Sequence, residues 1–547
     1  LRPRGEVYLL PDNTRLPAFE MSPAGCARVG EKVEVRIPYK GGYAPFVRSF
    51  GRATSRKANY AAVLAECAVP TAFSPEALDE AADRAAEPLS TEGRRIVHDT
   101  VLTIDGAGAK DLDDAISLRK IRGGWQLGVH IADVSAYVPE RTHLDRAVMA
   151  RGTSVYFTDK VVPMLPPALS NGACSLNAGE DKYALSAIIN LDEKGEIKST
   201  RVIPTIINSR VRGVYSEVNK IFSGEADSAT RVKYKAVIPT LMRMHELYLV
   251  LLEKSKARGA MELDSEEAEI LLDERGEPVD IIKRERGDAE RLIEQFMLTA
   301  NEAVARLLSE REIPCVYRIH EAPPPERLAD FLNYAHSLGF DATVISERHS
   351  EASDFARLLE LAAERDMLPQ VSYTMLRSMS KAKYSEERHS HFGLALDYYC
   401  HFTSPIRRLS DLATHRIIHK GLIEGKRPEL YEKYARRAAV AATDAEIRAV
   451  SAERRIENLY KVIYMSDKGG CEFDAVINSI TSFGFFAVLE NTCEGLVPIS
   501  ELPGVFSFDE KNLLLRSRHV TYHIADKVRV RLEEADIIRG KLRFSIV

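Results

Sequence analysis

The stretch Thr103-Ile-Asp-Gly-Ala-Gly-Ala-Lys-Asp-Leu-Asp-Asp-Ala115 packs Asp105, Asp111, Asp113 and Asp114 around two glycines. The run 101–105 reads as a strand that ends at Asp105, and Gly106 and Gly108 let the backbone turn sharply behind it. Carboxylates this close repel one another, so a fold gains little by gathering them unless a cation joins them. Mg²⁺ fits that role as a hard ion that takes carboxylate oxygens and keeps waters for a phosphate to displace. Asp113 and Asp114 are neighbours, so a regular strand would send them to opposite faces, whereas an irregular loop lets both converge. Two such ions can orient an attacking water and stabilise the leaving oxygen of a phosphodiester. Taken alone, the stretch is also compatible with a solvated acidic loop. A calcium loop of the EF-hand kind does not fit, because it needs a Glu at its twelfth position.

Around this stretch, residues 93–466 form the largest block. Strand-like runs at 101–105, 125–134 and 184–191 fill its first half. Its second half is helical. Apolar residues at 289, 292, 293, 296, 297, 300, 304, 307 and 308 mark one stripe of a long helix, with Glu294 at its border. A second helix, rich in Arg and Glu, is expected from about Leu430 to Met465. The block therefore reads as α+β.

Both flanks are β-rich. At the N-terminal end, Gly5–Leu10, Lys32–Pro38 and Ala44–Ala53 are short runs between Gly and Pro breaks, the spacing of a small barrel. Residues 74–86 read as a helical connector. At the C-terminal end, runs at 473–477, 485–489, 495–498, 527–532 and 541–546 match the strand number of an OB barrel. The expected domains are residues 1–72, a linker at 73–92, a catalytic block at 93–466 and a second barrel at 467–547.

The 547-residue chain exceeds one core and suits three or four domains by the length prior. Its net charge of −5 speaks mildly against a nucleic-acid partner, but acidic outer faces can mask a basic channel. The seven cysteines are scattered and none forms a CxxC, which argues against a zinc ribbon or disulfide framework and for a reducing cytoplasm. No apolar run approaches the roughly 20 residues of a membrane helix. The chain starts with Leu and shows no signal-peptide pattern, so it is expected to have been trimmed from a longer one.

The aspartate stretch resembles the catalytic signature of the ribonuclease II and ribonuclease R family, the RNB domain. Further segments resemble that family in the same order: Arg151-Gly-Thr-Ser-Val-Tyr156, Val162-Pro-Met-Leu-Pro166, Leu169-Ser-Asn-Gly-Ala-Cys-Ser-Leu-Asn177, His391-Phe-Gly-Leu394 and His401-Phe-Thr-Ser-Pro-Ile-Arg-Arg408, the last continued by Asp411-Leu412 and His415-Arg416. Together they span nearly all of 93–466. The resemblance implies an RNB domain between an N-terminal cold-shock-like OB barrel and a C-terminal S1-type OB barrel. The chain is similar to the ribonuclease R type, and trimming at both ends is expected from that resemblance.

The activity implied is a processive 3′-to-5′ hydrolytic exoribonuclease that releases nucleoside 5′-monophosphates from single-stranded RNA. Asp105, Asp111 and Asp114 would hold Mg²⁺, with Mn²⁺ as a substitute. Asp113 would be the carboxylate whose loss abolishes cleavage, through a second ion. Arg407 would meet the scissile phosphate, Tyr156 would stack on the terminal nucleotide, and Tyr215 and Glu294 would contact ribose. Glu453 would lie near the 3′ end. The ordinary structural readings are that Arg407 caps a helix or pairs with Asp411, and that Glu294 and Glu453 lie on solvated helix faces.

The chain departs from the pattern at Ala107-Gly108, where the family often has an acidic residue, and at Leu409-Ser410, where Tyr-Pro is common. Some members place a stacking Phe where this chain's nearest match is Leu263. In the C-terminal barrel, strand alternation favours Phe483 and Phe485 on the RNA side and Phe486 in the core. The basic stretch 48–57 is a candidate RNA path. Other readings are a catalytically inactive RNA-binding regulator and a metal-dependent DNA phosphodiesterase. The expected partner is single-stranded RNA, bound by a monomer.

Overall fold

The computed structural model describes residues 8–13, 15–21, 27–37, 43–261, 268–284, 286–341 and 351–547. Gly5–Val7, Cys26, Pro38 and Leu263 lie outside the described residues. At the N-terminal end Tyr8–Leu9 pairs with Phe19–Glu20, and Glu31–Val35 with Phe46–Arg52, both antiparallel. These strands fit a cold-shock-like domain.

A helix, Arg56–Glu66, follows within the stretch expected to be all β. Its sequence, RKANYAAVLAE, is rich in alanine, the best helix former, but carries a weak polar–apolar contrast. The connector helix Pro75–Ala86 starts where expected. Ser74 Oγ accepts the Ala77 amide at 3.3 Å, and proline opens the first turn.

A five-stranded sheet runs in the order Arg95–Ile96, Ile197–Asn208, Asp181–Asp192, Gly124–Ala132, Asp114–Ile121, antiparallel except at its Arg95–Ile96 edge. In the inner strands Gly124–Ala132 and Asp181–Asp192 residues of both faces are buried, so these two read as near-continuous apolar runs rather than alternating ones. His130, inside the sheet, lies 2.9 Å from Ser117 Oγ and 2.7 Å from Ser186 Oγ, which satisfies both ring nitrogens. The long helix Asp288–Glu310 packs below with the expected stripe, burying Leu292, Ile293, Phe296, Ala300, Val304 and Leu308.

Two large cores result. The first holds the sheet, the helix Asp288–Glu310 and the helix Leu409–Ile417, with Ile104, Leu112, Ile406 and Leu412 among its residues. The second is shared by distant parts of the chain: Tyr60 and Val63 of the helix Arg56–Glu66, Val155 and Phe157, Ile270 and Ile281 of a hairpin, Ala452 and Ile456 of the helix Glu432–Met465, and the interior of the C-terminal barrel. A third, small core joins the helices Pro325–Ser337, Ala352–Glu364 and Leu368–Ser378.

The C-terminal barrel closes through Glu472–Thr481, Gly484–Leu489, Glu494–Pro498, Lys541–Ile546 and Lys527–Asp536. These are the five runs expected from sequence. The orientation of its phenylalanines is not. Phe485 is fully buried, while Phe483 is 53% exposed and pairs edge-on with the half-buried Phe486 at 6.3 Å. The reason is the turn. Ser482 and Phe483 form the two-residue connection between the strands, outside their alternation, and the count restarts at Gly484, whose φ is +143°. Phe485 then falls in phase with buried Ala487 and Leu489. Arg529 and Arg531 share a face as expected, but that face is ion-paired: Arg529 with Glu472 and Asp474, Arg531 with Glu472. Among the described residues no helix is long and apolar enough to cross a membrane.

Candidate active site

A parallel pairing brings the first site residues together. Thr103–Asp105 lies against Arg212–Val214 with Asp105 opposite Val214, so Tyr215, first residue of the next helix, stands beside Asp105. Gly213 makes this approach possible, since a Cβ there would meet the Thr103 carbonyl oxygen at 2.5 Å. The loop after Asp105 returns through Asp111 into the strand Asp114–Ile121.

The loop 401–408 forms the facing side and is pinned at each turn. Buried Asp411 accepts the Ser404 amide at 2.8 Å and Arg408 Nη2 at 2.8 Å. It is thus Arg408, not Arg407, that pairs with Asp411. Asp113 Oδ1 accepts the Ile406 amide at 2.8 Å, and Asp113 Oδ2 faces Arg407 Nε at 3.4 Å, an ion pair without a hydrogen bond. The Arg407 carbonyl accepts Ser154 N–H and Thr153 Oγ1–H, each at 3.0 Å, which ties this loop to the segment leading into Tyr156. Tyr156 donates its hydroxyl to Asp111 Oδ2 at 2.6 Å, and its backbone amide to Glu453 Oε1 at 2.8 Å.

These groups surround a cavity of about 550 Å³. Asp105, Asp111, Asp113, Asp114, Tyr156, Tyr215, Glu294 and Arg407 all line it. Glu453 does not; it lies behind Tyr156, whose amide it accepts. Phe483 lies away from the cavity, on the C-terminal barrel. Sequence reading missed Glu290, Asn301 and Tyr399 in the lining. Glu290 is one helical turn before Glu294, a spacing visible in the sequence. Asn301 could be found only in three dimensions: its Oδ1 accepts the Phe402 amide at 2.8 Å across 101 positions.

The electrostatics are those of a site short of positive charge. Burial, followed by Asp113 and Asp111, pushes the Asp105 carboxyl up to about 7. Burial and then Asp105 push Asp114 up to about 8. Burial also holds Asp113 well above the usual carboxylate range, although Arg407 and the Ile406 amide pull it down. Asp105 Oδ2, Asp113 Oδ2 and Asp114 Oδ2 are buried and have no hydrogen-bond partner. Buried polar atoms are almost always satisfied, so three oxygens without a hydrogen bond around one cavity, of which Asp113 Oδ2 has the Arg407 ion pair, fit a hard cation. No group of three or more acidic, His or Cys side chains among the described residues already stands at common ligand spacing. The carboxylates line the space from separate sides.

The RNB domain family matches residues 94–424, and the S1 RNA binding domain family matches residues 466–547. The chain is 39% identical over 508 residues to ribonuclease R 1 of Lactococcus lactis, covering 90% of this chain and 61% of that protein. It is 36% identical over 497 residues to ribonuclease R 2 of the same organism, covering 88% of this chain and 74% of that one. The chain thus spans about three fifths of the length of the first relative. Its fold matches that of Mycoplasma genitalium RNase R, solved in complex with ribose-methylated single-stranded RNA, with a TM-score of 0.87 and 26% identity, covering 99% of this chain and 89% of that one. With its signature carboxylates lining one cavity and the S1 barrel in sequence behind them, the chain belongs to the RNB-domain family, among the proteins of the ribonuclease R type.

Proposed function

We propose that this protein degrades single-stranded RNA processively from its 3′ end, by Mg²⁺-dependent hydrolysis to nucleoside 5′-monophosphates. The observation that carries the reading is the set of buried oxygens without a hydrogen bond on Asp105, Asp113 and Asp114 in the cavity that also holds Arg407 and Tyr156. The RNA seen in the Mycoplasma relative adds support from outside the chain.

In this reading Asp105, Asp111 and Asp114 hold the cation, with Asp113 serving a second ion. A bound divalent cation supplies Lewis acidity and an activated water for attack on the phosphodiester. Asp113 is oriented by the Ile406 amide and presents its other oxygen to the cavity. Arg407 neutralises charge that builds on the phosphoryl oxygens. Tyr156 stacks on the terminal base, its ring direction set by the bond to Asp111. Tyr215 and Glu294 meet ribose hydroxyls and favour RNA over DNA. Glu453 keeps Tyr156 in place through the backbone. Phe483, paired with Phe486, offers an aromatic face to incoming bases.

The domain division 1–72, 73–92, 93–466 and 467–547 is retained as part of the proposal. So is a monomer in the reducing cytoplasm, in keeping with the free thiols of Cys67, Cys174, Cys315, Cys400, Cys471 and Cys493.

The test is time-resolved digestion of a 5′-labelled RNA bearing a hairpin with a 3′ overhang, in Mg²⁺, in Mn²⁺ and in EDTA. The expected result is mononucleotide release with shortening from the 3′ end in either metal and none in EDTA. Binding without any shortening in Mg²⁺ would establish the runner-up, an inactive RNA-binding regulator. Equal digestion of a DNA oligonucleotide would remove the roles given to Tyr215 and Glu294.

A further inference from the structure

Tyr156 sits on a two-stranded hairpin, Val155–Tyr156 paired with Val161–Val162. Strand alternation sends Val155 and Phe157 to one side and Tyr156 to the other. Val155, Phe157 and Val162 are buried in the second core, while the Tyr156 ring, 39% exposed, lines the cavity. The tip is closed by the Phe157 amide, which donates to the Lys160 carbonyl at 2.9 Å.

That tip is gripped from the N-terminal side. Phe157 meets Tyr60, on the helix Arg56–Glu66, edge-on at 5.3 Å and 67°. Lys160 Nζ lies over the face of the same Tyr60 ring, 4.2 Å from its centre. The helix that carries Tyr60 is itself anchored to the helix Glu432–Met465, which leads into the C-terminal barrel. Arg56 Nη1 donates to Tyr460 Oη at 2.9 Å, and Arg455 pairs with Glu66 at 2.7 Å. Glu453 of that same helix accepts the Tyr156 amide.

We infer that Tyr60 is a positioning residue for the reaction: through Phe157 and Lys160 it sets the Tyr156 ring in the cavity, and it ties that setting to the packing of both RNA-binding ends. The inference rests on the exoribonuclease reading. Tyr60 lies outside the cavity lining and acts through Tyr156.

A double-mutant cycle on the full chain tests it, with kcat and KM measured on a short single-stranded RNA. Tyr60→Leu removes the ring; Tyr60→Phe keeps it. In the wild-type background Tyr60→Leu is expected to lower kcat/KM about tenfold, since small misplacements of positioning groups cost up to about a hundredfold. In a Tyr156→Ala background the same change should cost less than about twofold, because residues that act through one another are not additive. Tyr60→Phe should stay within about twofold of wild type.

Equal losses in both backgrounds, no loss in either, or Tyr60→Phe as damaging as Tyr60→Leu would overturn the inference. Should Tyr60→Leu fail to fold, Phe157→Leu runs the same cycle. Amide exchange at 155–162 reads the grip directly: it is expected to speed up in Tyr60→Leu, and unchanged exchange counts against the proposal. A wild-type chain that digests no RNA would defeat the enzymatic reading, and the exchange measurement would still decide whether Tyr60 holds the hairpin.

Discussion

The acidic wall of the cavity grows out of the sheet core, whereas the Tyr156 wall grows out of a core that both ends of the chain share. Asp105, Asp113 and Asp114 stand at the ends of paired strands, and Arg407 is held through its carbonyl by Ser154 and Thr153, in a loop that Asp411 fixes through Ser404 and Arg408. Tyr156 stands on a short hairpin whose roots lie among Tyr60, Ala452, Ile456 and the barrel. The walls meet in two places, the Tyr156–Asp111 hydrogen bond and the stitching of 153–154 to Arg407. The difference teaches where rigidity is needed. The carboxylates and Arg407 are fixed by strand ends and main-chain hydrogen bonds, and the group proposed to hold substrate is wired to the parts of the chain proposed to meet the rest of the RNA.

The sharpest way to break this division is Asp113→Asn. Turnover should fall on the order of a thousandfold or more, while RNA affinity stays near wild type. Filter binding beside a digestion assay checks both, and retained turnover would remove Asp113 from the chemistry.

Next in size is a contrast inside the C-terminal barrel. Phe485→Ala should destabilise the barrel by about 3–5 kcal/mol, whereas Phe483→Ala should leave unfolding nearly unchanged and weaken RNA binding about tenfold. Denaturant melts and binding curves on the pair decide it; the reverse pattern would put Phe485 back on the RNA face.

Tyr156→Ala should reduce kcat/KM by about ten- to a hundredfold, the scale of one lost base stack. Loss as complete as that of Asp113→Asn would erase the distinction between the walls.

The smallest effect is thermal. Asp105 and Asp114 keep their protons to about 7 and about 8 in the cation-free fold, against 3.8 ordinarily. Between those limits the folded chain holds more protons than the unfolded one, so cation-free stability falls as pH rises. A cation needs the deprotonated carboxylates, so its stabilising effect should grow from pH 6 to pH 8, reaching a few degrees in Tm. Buried His130 and His415, held to about 4, work in the opposite sense, but only below their ordinary 6.5. A cation-induced shift of equal size at pH 6 and pH 8 would detach these two aspartates from the metal.

Much of the fold was legible because the signal was local. The stripe from Ala289 to Leu308 made one helix, and all five strands of the C-terminal barrel appeared where alternation and turn residues put them. The helix Arg56–Glu66 escaped because alanine contributes little contrast between faces. In the site, the four aspartates and Arg407 were legible from the family pattern, and all reach the cavity. Glu453, expected near the 3′ end, stands outside the cavity lining on the amide of Tyr156, since only packing decides which side of a helix meets a neighbour.

The amino-acid order determined the elements, the family motifs and the density of acid around two glycines, because propensity, periodicity and charge spacing act over a few residues. Tertiary structure alone decided that Arg408 rather than Arg407 takes Asp411, and that Phe485 turns inward while Phe483 turns out. It alone put the Tyr156 hydroxyl on Asp111, 45 positions away, and the Ile406 amide on Asp113, 293 positions away. Contacts across such distances depend on how whole elements pack, and no short-range pattern encodes which of two neighbouring side chains will be the one that arrives.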